Sequence, residues 1–194
     1  MADLKVKYLG LDLKNPIIVS SSGLSDSVEK IVEIEKAGAG AVVLKSLFEE
    51  QLKYEAGQYM DYNDYPEAAD YILNYTKDNS VDNYLSLIEE AKKVVDIPVI
   101  ASVNCTSSNE WVNFSKKFEQ AGADALEVNV FILPSDKDAP SLDYEKVYLE
   151  LVEKLKSVIN IPISFIRSRT AMSIVLIIPK HNPSKIIKIK MYMY

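Results

Sequence analysis

The chain has 194 residues, 48% hydrophobic and 26% charged, the proportions of a globular protein long enough to bury a sizeable core without staples. One cysteine, Cys105, excludes an intramolecular disulfide framework, and a net charge of −6 disfavours nucleic acid as the main partner. The charge is uneven: residues 166–194 hold six Lys or Arg and no acid, so of the totals of 22 and 28, 16 basic and 28 acidic residues precede them, a net of −12.

The start, MADLKVKYLG, is charged and lacks the apolar stretch of a secretory signal. In the tail, residues 174–178 form the longest apolar run, far below the about 20 residues of a membrane span. A cytoplasmic location without membrane contact is the expectation.

Residues 4–14, LKVKYLGLDLK, alternate around Gly10 and predict a small β-hairpin. PIIVSSS then reads as a buried strand. SDSVEKIVEIEKAGAG predicts a helix with Ser25 or Asp26 as cap and an apolar stripe from Val28. AVVLKS, apolar without alternation, predicts a strand covered on both faces. The tyrosine-rich, polar residues 48–80 read as a long excursion, of the kind that is usually functional. VDNYLSLIEEAKKVVD is amphipathic and predicts a helix, IPVIASVN a strand, SSNEWVNFSKKFEQAGA a capped helix and ALEVNVFIL a strand. After PSDKDAPSLD, YEKVYLELVEKLKSVIN predicts a helix, and IPISF opens a fifth strand.

Two internal echoes run through this order. EKAGAGAVVLKS (35–46) matches EQAGADALEVNV (119–130), and VVDIPVIASV (94–103) matches VINIPISFIR (158–167). Strand–helix alternation of this kind demands a parallel sheet with right-handed crossovers. An open doubly wound sheet and a (β/α)8 barrel both place polar residues at strand C-termini, here SSSG, LKS, SVN and EVN. No G-x-G-x-x-G follows the first strand, and the entry hairpin is placed to plug the bottom of a barrel. The expectation is an α/β chain of TIM-barrel type. A complete barrel has eight strands and typically about 250 residues. Five strands are readable, so the barrel is expected to stop after about five β/α units, at residue 165.

Several strand-end residues carry chemistry. Lys45 ends an apolar strand, where an ammonium needs either a partner or the open mouth. It reads equally as an anion or heterocycle contact and as a lysine reaching solvent. Ser20, Ser21, Ser22 and Gly23 form a small hydroxyl-rich turn that admits a planar ligand; a turn capping the next helix is the competing reading. Asn104 and Asn129 end strands three and four with amides suited to a heterocycle edge, or to anchoring a loop. Glu127 lies on the same strand face as Asn129. Cys105 has no histidine near it in sequence and reads as a small buried residue. His181 lies in the tail and reads as solvated. No metal-ligand cluster or phosphate-loop motif is present in the sequence.

Taken together, NPIIVSSSGLS, AGAGAVVLKS, IPVIASVN and ADALEVNVFILPSD resemble the dihydroorotate dehydrogenases, nearest to the soluble class 1 enzymes and their relatives, over residues 4 to about 165. The resemblance implies an FMN-dependent barrel that oxidises dihydroorotate to orotate in pyrimidine biosynthesis. It matches Ser21 and Ser22 to the family's small-residue flavin contact and Lys45 with Ser46 to the pair beside flavin and substrate. Asn129 matches the strand-four asparagine that binds flavin, and Asn104 is a looser match. The flavin would supply the redox chemistry, and the protein placement and a base.

Three departures are readable. The family's Cys or Ser base falls at Ile132, and nearby Ser135 lacks an activating partner. The long loop lacks the family's substrate-binding asparagine pattern. A flavin-contacting lysine of strand five falls at Ile166, where the resemblance ends. Seventeen of the last 29 residues are Ile, Lys, Met, Tyr or Asn, amino acids with AT-rich codons. Residues 166–194 thus read as an out-of-frame or disordered tail, or as a genuine variant C-terminus.

The expectation is weak flavin binding or none, impaired or absent catalysis, and a poorly soluble chain or homo-oligomers forming through an exposed sheet edge. Two other functions stay open: a non-catalytic remnant or interaction module, and a phosphosugar aldolase or isomerase with Lys45 as the working amine.

Overall fold

A computed structural model describes residues 3–48, 66–104, 108–130, 141–169, 172–178 and 187–190, and side chains within 3–48, 79–104, 111–130 and 146–166. Residues 49–65 of the predicted 48–80 excursion, Cys105, the 131–140 loop with Ile132 and Ser135, and His181 lie outside the described residues.

The chain opens with the predicted hairpin, β1 (Val6–Tyr8) against β2 (Leu11–Leu13). Its two-residue turn places both Leu9 (φ 55°) and Gly10 (φ 82°) in the left-handed region, as a turn matching the twist of paired strands requires. Leu9 tolerates that backbone because its side chain is buried, at 2% exposure.

β3 (Ile18–Val19), α1 (Val28–Lys36) and β4 (Ala41–Val43) follow, then β5 (Leu47–Phe48), α2 (Pro66–Val94) and β6 (Val99–Asn104). After them come α3 (Ser108–Gln120), β7 (Ala125–Val130), α4 (Ser141–Lys156) and β8 (Ile163–Arg169). The cap of α1 is Ser27, whose hydroxyl accepts from Lys30 N, in place of the expected Ser25 or Asp26. Ser25 is instead buried, donating to Ser22 O, while Asp26 pairs with Lys30 at 2.7 Å. The helix expected from residue 81 reaches back to Pro66, into the stretch read from sequence as an irregular excursion.

β3, β4, β6, β7 and β8 are parallel and lie side by side in chain order. An open doubly wound sheet reverses its strand order at a switch point; a barrel does not. This is a parallel half-barrel sheet with its helices, and its entry hairpin is present. Beyond it, β9 (Met172–Ile178) pairs antiparallel with β8, and β10 (Ile187–Lys190) antiparallel with β9. No helix among the described residues is long and apolar enough to cross a membrane.

The two faces of the sheet have different cores. Val42, Leu44, Val99, Ala101, Val103, Leu126, Val128, Ile163 and Phe165 join the helices in the larger one, with Phe118, Ile88 and Leu155 fully buried. Ala41, Val43, Ile100 and Ala125, of opposite parity, pack with Leu9 and Leu13 of the hairpin. The hairpin thus covers the inner face at the N-terminal ends of the strands, the position expected of a barrel plug.

The sequence echoes are contacts as well. In both repeats the helix stops at an Ala-Gly pair whose glycine has positive φ (Gly38, 97°; Gly122, 95°), the usual left-handed helix stop. Just before each pair, a glutamate reaches the turn ahead of a later strand. Glu35 Oε1 accepts from Asp96 N and Ile97 N at 2.8 and 3.1 Å, and Glu119 Oε1 accepts from Asn160 N and Ile161 N at 2.7 and 3.1 Å. Each carboxylate satisfies two strand-entry amides, and so ties a segment of the first echo to a segment of the second.

Candidate functional site

Parallel pairing brings the C-terminal ends of β3, β4, β6, β7 and β8 to one end of the sheet. Alternation from Ile100 and Ala125 then puts Ser102, Asn104, Glu127 and Asn129 on the inner face. Register sets Asn129 opposite Ile166 of β8. The position of the family lysine is therefore next to Asn129, and it is held by a half-buried isoleucine.

The second strand does not run straight to Ser46, as AVVLKS predicted. The ladder holds as far as Leu44 N, which donates to Ile100 O at 2.9 Å. Lys45 N then turns away to Ser25 O (3.1 Å), and Ser46 N donates to Ser21 Oγ (2.9 Å). Pairing with β6 resumes only at Leu47. The detour takes the Lys45 and Ser46 amides out of the ladder and leaves Ser102 N–H and C=O without strand partners on that side. Tyr84 of α2 fills the gap, its hydroxyl donating to Ser102 O (3.1 Å) and accepting from Ser102 N (2.9 Å). Burial pushes the Tyr84 phenol well up, so it stays protonated and able to do both.

The detour joins Ser46 to the strand-one turn. Ser21 Oγ and Ser46 Oγ are 2.9 Å apart, Ser46 Oγ and Ser102 Oγ 2.7 Å, and Ser102 Oγ donates to Glu127 Oε1 at 3.2 Å. Burial raises the Glu127 carboxyl above the ordinary glutamate value, partly offset by the Ser102 bond. Tyr8 of the hairpin is raised too, by burial and then by the Glu127 charge, against a side-chain hydrogen bond with Ser164. Lys30 steadies the turn from outside, donating to Gly23 O at 2.8 Å and to Asp26 at 2.7 Å.

Of the sequence-expected residues, Ser21 and Ser46 touch, Ser22 shares their turn, and Asn104 and Asn129 are half-buried on the adjacent strands. Lys45 is exposed at the same end. Ser102 and Tyr84 were missed. Ser102 could have been found from its spacing, two residues before Asn104 on one strand face; no local signal marks Tyr84, which reads as one more core aromatic.

This donor set fits a planar heterocycle: small hydroxyls on one side, amides on the other, and an ammonium at the rim. A family model described as Dihydroorotate dehydrogenase matches residues 3–166. The catalytic subunit of dihydroorotate dehydrogenase B (NAD(+)) from Thermoplasma acidophilum is 30% identical over 171 residues, 84% of this chain and 53% of that protein. Dihydroorotate dehydrogenase A (fumarate) from Lactobacillus delbrueckii subsp. bulgaricus is 29% identical over 174 residues, 84% of this chain and 54% of its own length. The chain spans about half the length of these relatives. An IMP dehydrogenase/GMP reductase-like protein from Corynebacterium glutamicum is similar in structure at 13% identity and a TM-score of 0.49, over 87% of this chain and 44% of that one, too distant to carry an argument. With the family match reaching from the hairpin into the fifth parallel strand, this chain belongs to the dihydroorotate dehydrogenase family.

Proposed function

We propose that the open end of the half-barrel binds the ring system of FMN, and that the chain is the flavin-ring portion of a flavoprotein that oxidises dihydroorotate to orotate. The observation that supports this most is the convergence of Ser21, Ser46, Asn104 and Asn129 at one end of the sheet, with Lys45 at the rim. Bound there, FMN would accept the two electrons removed from the substrate. Ser21, Ser22 and Ser46 would meet the ring with hydroxyls, Asn104 and Asn129 with amides, and Lys45 would add a positive charge. The small-molecule substrate would lie beside them.

Removing the substrate proton is the step for which this chain is poorly equipped. The family's base position is Ile132, which can neither accept nor relay a proton, and a positioned base contributes about 100-fold or more to rate. Mixed anaerobically with FMN and dihydroorotate, the chain should bleach the flavin's visible band only slowly, and Ile132→Cys should speed bleaching about 100-fold. Fast bleaching by the unaltered chain would refute the impairment, and an Ile132→Cys chain no faster than its parent would refute the role given to that position.

A further inference from the structure

Beneath the flavin-facing turn runs a continuous chain of side-chain hydrogen bonds from a half-buried carboxyl to the open end: Glu127, Ser102, Ser46, Ser21. Its links are 3.2, 2.7 and 2.9 Å. Ser102 is fully buried, whereas Ser46 and Ser21 are half-buried. Each serine has one proton to donate, so once Ser102 gives its proton to Glu127 the direction of the outer links is fixed.

With Glu127 ionised, Ser102 must donate to it. Ser46 then donates to Ser102 and Ser21 to Ser46. Every hydroxyl proton points inward, and Ser21, which also accepts from Ser46 N, offers a ligand only an acceptor lone pair. With Glu127 protonated, the carboxyl can donate to Ser102, which frees the Ser102 proton for Ser46 and lets the chain reverse. Ser21 then accepts from both Ser46 N and Ser46 Oγ, and its own proton is free to point at the ligand. We propose that the protonation state of Glu127 sets the polarity of this chain, and so decides whether Ser21 presents a donor or an acceptor to the bound heterocycle. Glu127 is thus a positioning residue, acting about three hydrogen bonds away from what it controls.

The surroundings leave Glu127 free to play this part. The Glu127 charge helps to raise two phenols, Tyr8 from the hairpin and Tyr84 from α2. Burial keeps both neutral, so neither adds a negative charge beside Glu127, and a phenol cannot become a cation that would pin it in its ionised form. Burial raises the carboxyl, which moves the reversal from the ordinary glutamate range toward neutral pH.

The ligand side of this inference rests on the flavin reading above; the chain itself does not, and the test has one arm for each. In the first arm, without flavin, the infrared band of a protonated carboxyl is followed against pH in the full chain and assigned by its loss in Glu127→Gln. Ser21→Ala, at the far end, should shift that band or its midpoint, because it removes the last link of a polarised chain. A band absent at every pH, or indifferent to Ser21→Ala, overturns the proposal.

In the second arm, riboflavin affinity is measured by flavin fluorescence over the same pH range. It should change about fivefold across the Glu127 titration, the worth of about one neutral hydrogen bond, and stay level in Glu127→Gln and in Ser102→Ala. An equal pH dependence in those variants overturns the proposal. No riboflavin binding at any pH refutes the flavin reading instead, and the first arm then decides the chain by itself.

Discussion

Tyr84→Phe is expected to cost about 3 kcal/mol of stability, a large loss for the removal of one oxygen atom. The ring would stay: it packs against Phe118 with centroids 5.0 Å apart, and a phenylalanine keeps that contact. What goes is the hydroxyl that bonds both Ser102 N and Ser102 O where the second strand leaves the sheet. Ser102 is fully buried, so its two backbone groups would lose their partner together, at about 1–3 kcal/mol each. Denaturant unfolding should show a lower midpoint at unchanged slope, and the Ser102 amide should exchange faster with solvent. A loss under about 1 kcal/mol would mean that the strand closes onto Ser102 once the phenol is gone, and that the detour is not held open by Tyr84.

Gly40→Ala is expected to cost about as much, for a steric reason. A Cβ on Gly40 would run into the backbone carbonyl oxygen of Asn15. Asn15 has little room to move, because its side chain donates to Gly38 O at 2.8 Å and accepts from Ile17 N at 2.9 Å, while Gly40 N itself donates to Ile17 O at 2.7 Å. Overpacking against a fixed backbone costs about 1–3 kcal/mol, sometimes more. Gly23→Ala is the control: nothing lies within 4 Å of its Cβ position, and its stability should stay within about 0.5 kcal/mol of the parent. Equal unfolding midpoints for the two variants would contradict the packing account.

These two sites show where sequence stopped being informative. The helix–strand order was legible because buried parallel strands read as unbroken apolar runs and because the echoes repeat the same stop and entry signals. Gly10 marked the hairpin, and the hairpin's place on the inner face followed from the barrel. The detour at Leu44–Ser46 was not legible, since AVVLKS is as good a straight strand as any and what bends it is a bond from Lys45 N to Ser25 O. Residues 66–80 were too polar to show a helical stripe.

The site was half legible. Ser21, Ser46, Asn104 and Asn129 stood out as polar residues at strand ends, and Glu127 by its spacing from Asn129. Their linkage through Ser102 was not, because it depends on which strands are neighbours and in what register. Gly40 likewise looked like part of a turn signal, and only the approach of Asn15 shows why a side chain has no room there.

The proposed function puts a flavin ring against the strand ends. Barrels of this type hold a ligand phosphate with loops after the seventh and eighth strands, whereas the residues gathered here are on the first four parallel strands. The most direct measurement is therefore a parallel titration of the 194-residue chain with riboflavin and with FMN, followed by flavin fluorescence. Both should bind weakly, within about threefold of each other, and Asn129→Leu should weaken both about tenfold. Failure of either flavin to bind, or affinities untouched by Asn129→Leu, would contradict it.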